Sequence, residues 1–177
     1  MDGLQLKRLS KQLSRLLRHQ GDSLGVDPEG FVAVDAVLRH LPPGVTIDDV
    51  QAVIATVEPH KQRFTLIDGF IRANYGHSLA SVVAYARATP PPTLYHGTSS
   101  GALAAILATG LQPMRRQFVH LTVAPALARQ IGQRHGPAVV LAVDAVGADA
   151  AGVVFHHPND GFWLVRHLPP QFLRHPD

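Results

Sequence analysis

The opening segment, Leu4 to His19, most narrows what this chain can fold into. At about 100° per residue, Leu6, Leu9, Leu13, Leu16 and Leu17 gather on one side of a helix. Arg8, Lys11, Arg15 and Arg18 gather on the other. A helix so divided must bury its aliphatic face in a core and turn its basic face to solvent or to an anion. It ends in Leu16-Leu17-Arg18-His19, so the basic face runs into an imidazole.

The segments that follow supply the rest of a small lobe. Gly21 to Pro28 reads as loop, and Gly30 to Val34 as a short strand rich in β-branched residues. Asp35 is placed to cap a helix from Ala36 to Leu41, which Pro42-Pro43-Gly44 stops. Thr46 is placed to cap another, running to about Val57 before Glu58-Pro59. Arg63 to Ile67 and Phe70 to Asn74 flank Asp68-Gly69, a dipeptide whose tolerance of positive φ favours a two-residue hairpin turn. Helices followed by a hairpin suggest a winged-helix lobe, an architecture that can set a helix and the hairpin against nucleic acid. His77 to Ala88 carries small and apolar residues at helical spacing and then meets the stiff Thr89-Pro90-Pro91-Pro92. The expected organisation is therefore a first lobe over residues 1–88, a Pro-rich linker over 89–93 and a second lobe over 94–177.

Strands dominate that second lobe. Leu94-Tyr95-His96 enters a turn at Gly97-Thr98, and Ser100 or Gly101 opens a helix ending near Gly110. Phe118 to Val123 is strand-like, and Pro125 suits the first position of a helix to Arg134. Ala138 to Val143, Gly152 to His156 and Gly161 to Val165 are further strand candidates. The overall class is α/β of the α+β kind. Neither G-x-G-x-x-G nor G-x-x-x-x-G-K-[ST] occurs, so Rossmann and P-loop readings lack their fingerprint.

Composition removes several chemistries. The 177 residues contain no cysteine, which excludes disulfides, thiolate metal sites and thiol nucleophiles. No apolar run reaches the roughly eighteen residues of a membrane span, and charges stand where a signal peptide would be apolar, so a cytoplasmic protein is expected. The formal charge of +3 is modest, but Lys and Arg concentrate in the first helix, between Lys61 and Arg72, and at Arg115-Arg116. That distribution suits a phosphate-bearing partner. From Leu94 to the C-terminus there is no Glu.

Four polar islands interrupt the aliphatic chain: Arg18-His19, Lys61-Gln62-Arg63-Phe64, His96-Gly97-Thr98, and Arg116 through Thr122. Gly97 would let a ligand approach the backbone, while His96 and Thr98 offer donors suited to a ribose hydroxyl and a carboxamide. His120 and Thr122 are two apart in a strand and so share a face. Two such strands would wall a nucleotide cleft. His156-His157 does not read as a metal pair, because adjacent strand residues face opposite ways. Trp163, in an apolar strand, reads as core.

In order and spacing these islands resemble the tRNA 2′-phosphotransferase family. The resemblance runs through Leu9-Ser10, Leu17-Arg18-His19, the Gly25/Asp27/Gly30 loop, Arg63-Phe64 and Ile71-Arg72-Ala73-Asn74-Tyr75-Gly76-His77-Ser78. It continues through Leu94-Tyr95-His96-Gly97-Thr98, Met114 and Arg116, Val119-His120-Leu121-Thr122, and Trp163-Leu164 with Pro169-Pro170. It implies an RNA-binding winged-helix lobe joined to an ADP-ribosyltransferase-like lobe, with the reaction in the cleft between them. It also implies NAD⁺ as a consumed co-substrate and no metal. The implied substrate is an RNA with an internal 2′-phosphate, of the tRNA splice-junction kind. The phosphate would attack the nicotinamide-bearing ribose carbon, giving a 2′-phospho-ADP-ribosylated RNA. The neighbouring ribose hydroxyl would then attack phosphorus, leaving 2′-OH RNA, ADP-ribose 1″,2″-cyclic phosphate and nicotinamide.

By that resemblance Arg18, His19, Arg63 and Arg116 are catalytic, and His96, Gly97, Thr98, His120 and Thr122 bind NAD⁺. Lys11, Arg15, Arg72, His77 and Ser78 would serve the RNA and its phosphate. A monomer is expected, with no membrane association. The missing Glu is consistent with this chemistry: nicotinamide leaves as a neutral molecule, and the phosphate nucleophile is already ionised near neutral pH. Departures from the family pattern are Phe118 where His is frequent, Thr122 for Ser, Tyr75 for Gln, and Phe162 for a smaller aliphatic before Trp163. Two rivals stay open: an ADP-ribosyltransferase that caps terminal phosphates of RNA or DNA, and a non-catalytic, NAD-sensing winged-helix nucleic-acid binder.

Overall fold

The computed structural model describes residues 1–56 and 62–174. The chain divides into two compact units, Met1–Tyr85 and Ala86–Asp177. Among the described residues are six α-helices and three small antiparallel sheets, a mixed α/β protein. None of the described helices is long and apolar enough to cross a membrane.

Helix α1 (Gly3–His19) starts at a capping box, in which the Asp2 carboxylate accepts from Gln5 N and the Gln5 side chain accepts from Asp2 N. Leu9, Leu13, Leu16 and Leu17 are buried. Arg8, Lys11 and Arg15 are exposed, whereas Arg18, expected with them, is half-buried. β1 (Phe31–Ala33) leads directly into α2 (Val34–Leu38), so Asp35 lies in the first turn of that helix and Ala33 takes the cap position expected of Asp35. α3 (Ile47–Ala55) is capped by Thr46 through a second capping box, with Asp49. Its expected end at Val57, with Glu58-Pro59, lies outside the described residues, as does Lys61.

β2 (Phe64–Ile67) and β3 (Phe70–Ala73) form the hairpin expected around Asp68-Gly69, whose φ angles of 48° and 78° are the left-handed pair that such a turn needs. The sheet order is β1-β3-β2. Leu13, Leu17, Val32, Val37 and Ile71 lie at the centre of this unit's core.

The helical spacing of His77 to Ala88 does not produce a helix. The segment is irregular because other parts of the chain take its amides. Ser78 N donates to Arg18 O, Ala80 N and Ser81 N to the Asp22 carboxylate, and Ala84 N to Pro28 O. A helix would have to break these bonds to satisfy itself.

In the second unit β4 (Thr93–Ser99) pairs along its whole length with β6 (Ala138–Asp144), and β9 (Leu173–Arg174) adds to the far side of β6. Gly97-Thr98 thus lies inside a strand and not in the expected turn. The third sheet has the order β5-β8-β7, from β5 (Val119–Leu121), β7 (His156–Asn159) and β8 (Phe162–Val165). Reciprocal bonds between Tyr95 and Thr122, of 2.7 and 3.0 Å, stitch β4 to the end of β5. α4 (Ser100–Thr109) stops at Gly110, and α5 (Pro125–Gly132) begins on its proline as expected. The strand expected over Gly152 to His156 begins only at His156. Asp144 caps a short helix before it, α6 (Ala145–Ala150), that the alternating Ala and Val had hidden.

Candidate active site

In the first unit the C-terminal end of α1 gathers several of the expected site residues. Arg18 O accepts from Ser78 N at 2.9 Å, and Ser78 Oγ lies 2.7 Å from His19 Nδ1. The extended segment is thereby laced to the two residues expected to be catalytic. The Arg18 guanidinium lies over the Tyr75 ring, 4.8 Å from its centroid, a cation–π contact that leaves its N–H groups directed elsewhere.

Next to Ser78, His77 is 2% exposed. Its Nδ1 lies 2.9 Å from the Tyr85 hydroxyl, and its Nε2 has no hydrogen-bond partner in the protein. Burial, and then the charges of Arg18, Arg72 and His19, hold its pKa down to about 4, so the ring is neutral at physiological pH. Burial pushes the Tyr85 hydroxyl upward, so it keeps its proton.

Arg72, in the middle of β3, donates through Nη1 to Glu29 O at 3.1 Å and stacks its guanidinium over Phe31 at 4.7 Å. The loop that receives it is shaped by Asp27, whose carboxylate accepts from Glu29 N and Phe31 N. Arg72 Nε is buried without a protein partner. Arg63, exposed just before β2, reaches Ser10 of α1 with Nη1 at 3.4 Å. Arg18, His19, Arg72, His77 and Ser78 therefore form one neighbourhood; Arg63, Lys11 and Arg15 lie on or against the exposed side of α1.

The second unit holds the other group. His96 on β4 is committed through Nδ1 to His120 O at 3.0 Å, and burial lowers its pKa, so it too is neutral. Arg116 Nη1 lies 3.4 Å from His120 Nε2; a guanidinium can only donate, so Nε2 is the acceptor in that contact. Phe162 meets the His120 ring edge-on at 6.1 Å. Two imidazoles, a guanidinium and an aromatic ring are gathered here.

The fold makes its own use of the remaining three. A Cβ on Gly97 would stand 1.7 Å from Ala128 O, so the residue is glycine because α5 lies against β4 there. Thr98 is buried, and buried Thr122 spends its hydroxyl accepting from Ala124 N at the start of α5. His157 stacks on Trp163 at 4.2 Å, and His156 Nδ1 donates to Ala86 O. No group of three or more His, Asp or Glu among the described residues is placed to hold a metal.

Comparison with known proteins assigns these residues to a lineage. The model of the RNA 2′-phosphotransferase, Tpt1 / KptA family, matches residues 5–167. The chain belongs to that family. A probable RNA 2′-phosphotransferase of Streptomyces coelicolor is 42% identical over 175 residues, covering 96% of this chain and 94% of that protein. One from Pseudomonas aeruginosa PAO1 is 42% identical over 180 residues (98% and 99%), and one from Nostoc punctiforme 36% over 179 residues (98% and 99%). Sequence reading of this RNA 2′-phosphotransferase family member missed the contribution of Tyr85. It stands eight residues after His77, about 26 Å along an extended chain, and only the bend of the segment brings the two side chains together.

Proposed function

We propose that this protein is an NAD⁺-dependent RNA 2′-phosphotransferase, removing an internal 2′-phosphate from RNA of the tRNA splice-junction type. The observation that carries the reading is the grouping of Arg18, His19, Arg72, His77 and Ser78 at one helix end in a member of this family. Fixed positive charge is what a transferring phosphate needs, because its charge redistributes as the second bond forms. In this reading the first unit is a winged-helix RNA lobe, supported by the order α1-β1-α2-α3-β2-β3 and the sheet β1-β3-β2. The second unit is the ADP-ribosyltransferase-like lobe, and the protein acts as a cytoplasmic monomer.

NAD⁺ supplies an electrophilic ribose carbon and a neutral leaving group. His96 and His120 contact it with side chains, while Gly97, Thr98 and Thr122 shape the wall that carries them. Arg18, Arg63 and Arg116 neutralise the phosphate through planar guanidinium donors. His19, held by Ser78, orients the 2′-phosphate or moves the proton when the ribose hydroxyl attacks phosphorus. Lys11, Arg15 and Arg72 draw in the RNA backbone, with His77 and Ser78 supporting the phosphate. The products are 2′-OH RNA, nicotinamide and ADP-ribose 1″,2″-cyclic phosphate, through a 2′-phospho-ADP-ribosylated RNA.

The test is to mix the protein with a short RNA bearing one internal 2′-phosphate, with and without NAD⁺, and to resolve RNA and nucleotide products. NAD⁺-dependent loss of the phosphate with release of the cyclic product is expected, and Arg18→Ala should stall at the ADP-ribosylated RNA. RNA that stays phosphorylated while NAD⁺ disappears would overturn the reading.

A further inference from the structure

His77 and Arg72 pose a problem that the family comparison does not address. Each holds a buried nitrogen, His77 Nε2 and Arg72 Nε, with no acceptor in the protein. Leaving a buried donor unmade costs free energy, and the nearest loop carbonyl already serves another nitrogen of Arg72. Glu29 O accepts from Arg72 Nη1, and Asp27 Oδ1 accepts from both Glu29 N and Phe31 N, which fixes the loop beside it. In front of His77 Nε2 stands Gly30, at φ 87°; a Cβ there would come within 3.6 Å of the imidazole nitrogen and 3.1 Å of Val83 Cγ1. Arg18 and Arg72, whose charges bear on the His77 ring, are half-buried, so the residues around this niche border solvent.

Which ring nitrogen of His77 carries the proton decides what the niche can bind. A phenol donates more readily than it accepts, so Tyr85 gives its hydrogen to Nδ1 and Nε2–H points into the niche. The charged or titratable groups that bear on the ring are Arg18 and His19 from α1 and Arg72 from β3, all of them cationic or able to become so. A neutral N–H donor among such groups suits an anion whose oxygens accept several hydrogen bonds.

We propose that Tyr85 is a positioning residue: its hydroxyl holds the His77 proton on Nε2, and that N–H together with Arg72 Nε–H receives a phosphate group of the RNA substrate. The proposal rests on the RNA reading above and adds to it a donor pair and the residue that orients it. Because Ser78 is bonded to both Arg18 and His19, the phosphate in question is the 2′-phosphate those residues address.

The experiment uses the full chain labelled with ¹⁵N-histidine. In the free protein the His77 signals should be those of the Nε2–H tautomer, and they should shift on addition of a short RNA with one internal 2′-phosphate. Tyr85→Phe should mix the tautomers and weaken binding of that RNA about tenfold, the scale of one hydrogen bond to a charged group. Its affinity for the matching 2′-hydroxyl RNA should change less than twofold. His77→Ala should lose at least as much, and His77→Gln, which places an amide N–H where Nε2–H was, should restore most of it.

An Nδ1–H tautomer overturns the proposal, as do His77 signals that do not move when the wild type is saturated with phosphorylated RNA. Equal losses for both RNAs assign the niche to a backbone phosphate and overturn the 2′-phosphate assignment. Inorganic phosphate separates this failure from failure of the RNA reading. If it shifts the His77 signals while neither RNA binds, the anion niche stands and the RNA substrate falls.

Discussion

Replacing Gly97 with alanine puts two explanations of this glycine in opposition. If the position is glycine so that a nucleotide can lie against the backbone, Gly97→Ala should spare stability and weaken NAD⁺. The geometry argues for the opposite. The new Cβ would stand 1.7 Å from Ala128 O and 2.5 Å from Ala128 C. A relaxed carbon–oxygen contact is about 3.3 Å, so α5 must withdraw from β4 by roughly 1.5 Å. Both clashing partners are backbone, and no side chain can rotate away.

Overpacking of a tight contact costs about 1–3 kcal/mol, and a backbone clash belongs at the upper end, about 3 kcal/mol. With a urea dependence of about 1–3 kcal/mol per molar, the unfolding midpoint should fall by roughly 1–3 M. The single tryptophan, Trp163, lies in the second unit and stacks on His157, so its fluorescence follows the transition that matters. Gly101→Ala is the control. A Cβ there meets nothing within 4 Å, and in the first turn of α4 alanine should leave the midpoint unchanged or raise it. If Gly97→Ala unfolds at the wild-type urea concentration, the packing explanation is wrong.

Three further outcomes follow from the first unit. Tyr75→Leu removes the platform under Arg18, a contact of about 1 kcal/mol, and should slow the second step roughly fivefold with ADP-ribosylated RNA accumulating in single-turnover assays; Tyr75→Phe should recover most of the rate. Thr46→Ala breaks the α3 capping box and should cost about 1 kcal/mol in urea melts followed by circular dichroism, whereas an unchanged midpoint would mean the cap bears no weight. His77 has a pKa of about 4 when folded against 6.5 unfolded, so between those values only the unfolded chain takes the proton and stability falls as the pH is lowered. The group accounts for about 3 kcal/mol over that window. His77→Gln should flatten the pH dependence of the midpoint between about 6.5 and 4, and superimposable curves would show that the imidazole is not buried neutral.

Features that depend on neighbours in sequence were legible from the residues. The leucine stripe of α1, the Thr46 cap, the Asp68-Gly69 turn and the proline that opens α5 each act within one or two turns of chain, and each is where the pattern placed it. What failed was local propensity opposed by distant partners. His77 to Ala88 has helical spacing, but Arg18 O, the Asp22 carboxylate and Pro28 O, all some sixty residues back, claim its amides. The strand expected from Gly152 begins only at His156, because Gly152 N and Val153 N donate back to Asp149 O and Ala148 O at the end of α6.

The candidate site divides along the same line. Arg18, His19, His96, Arg116 and His120 stood out because polar groups in an aliphatic chain need a reason, and a reason was available in phosphate chemistry. Their supports did not stand out. Tyr75 and Tyr85 are ordinary aromatic residues in sequence, and only tertiary structure sets one beneath a guanidinium and the other against an imidazole. Gly97 was singled out for a ligand, and its close packing under a helix carbonyl thirty-one positions further on was not legible beside that. A residue with a charge or a lone pair announces what it can do. One that only holds such a residue in place becomes visible when its distance to that residue is known, which is why Tyr85→Phe is the more informative substitution at this site than any change to the arginines.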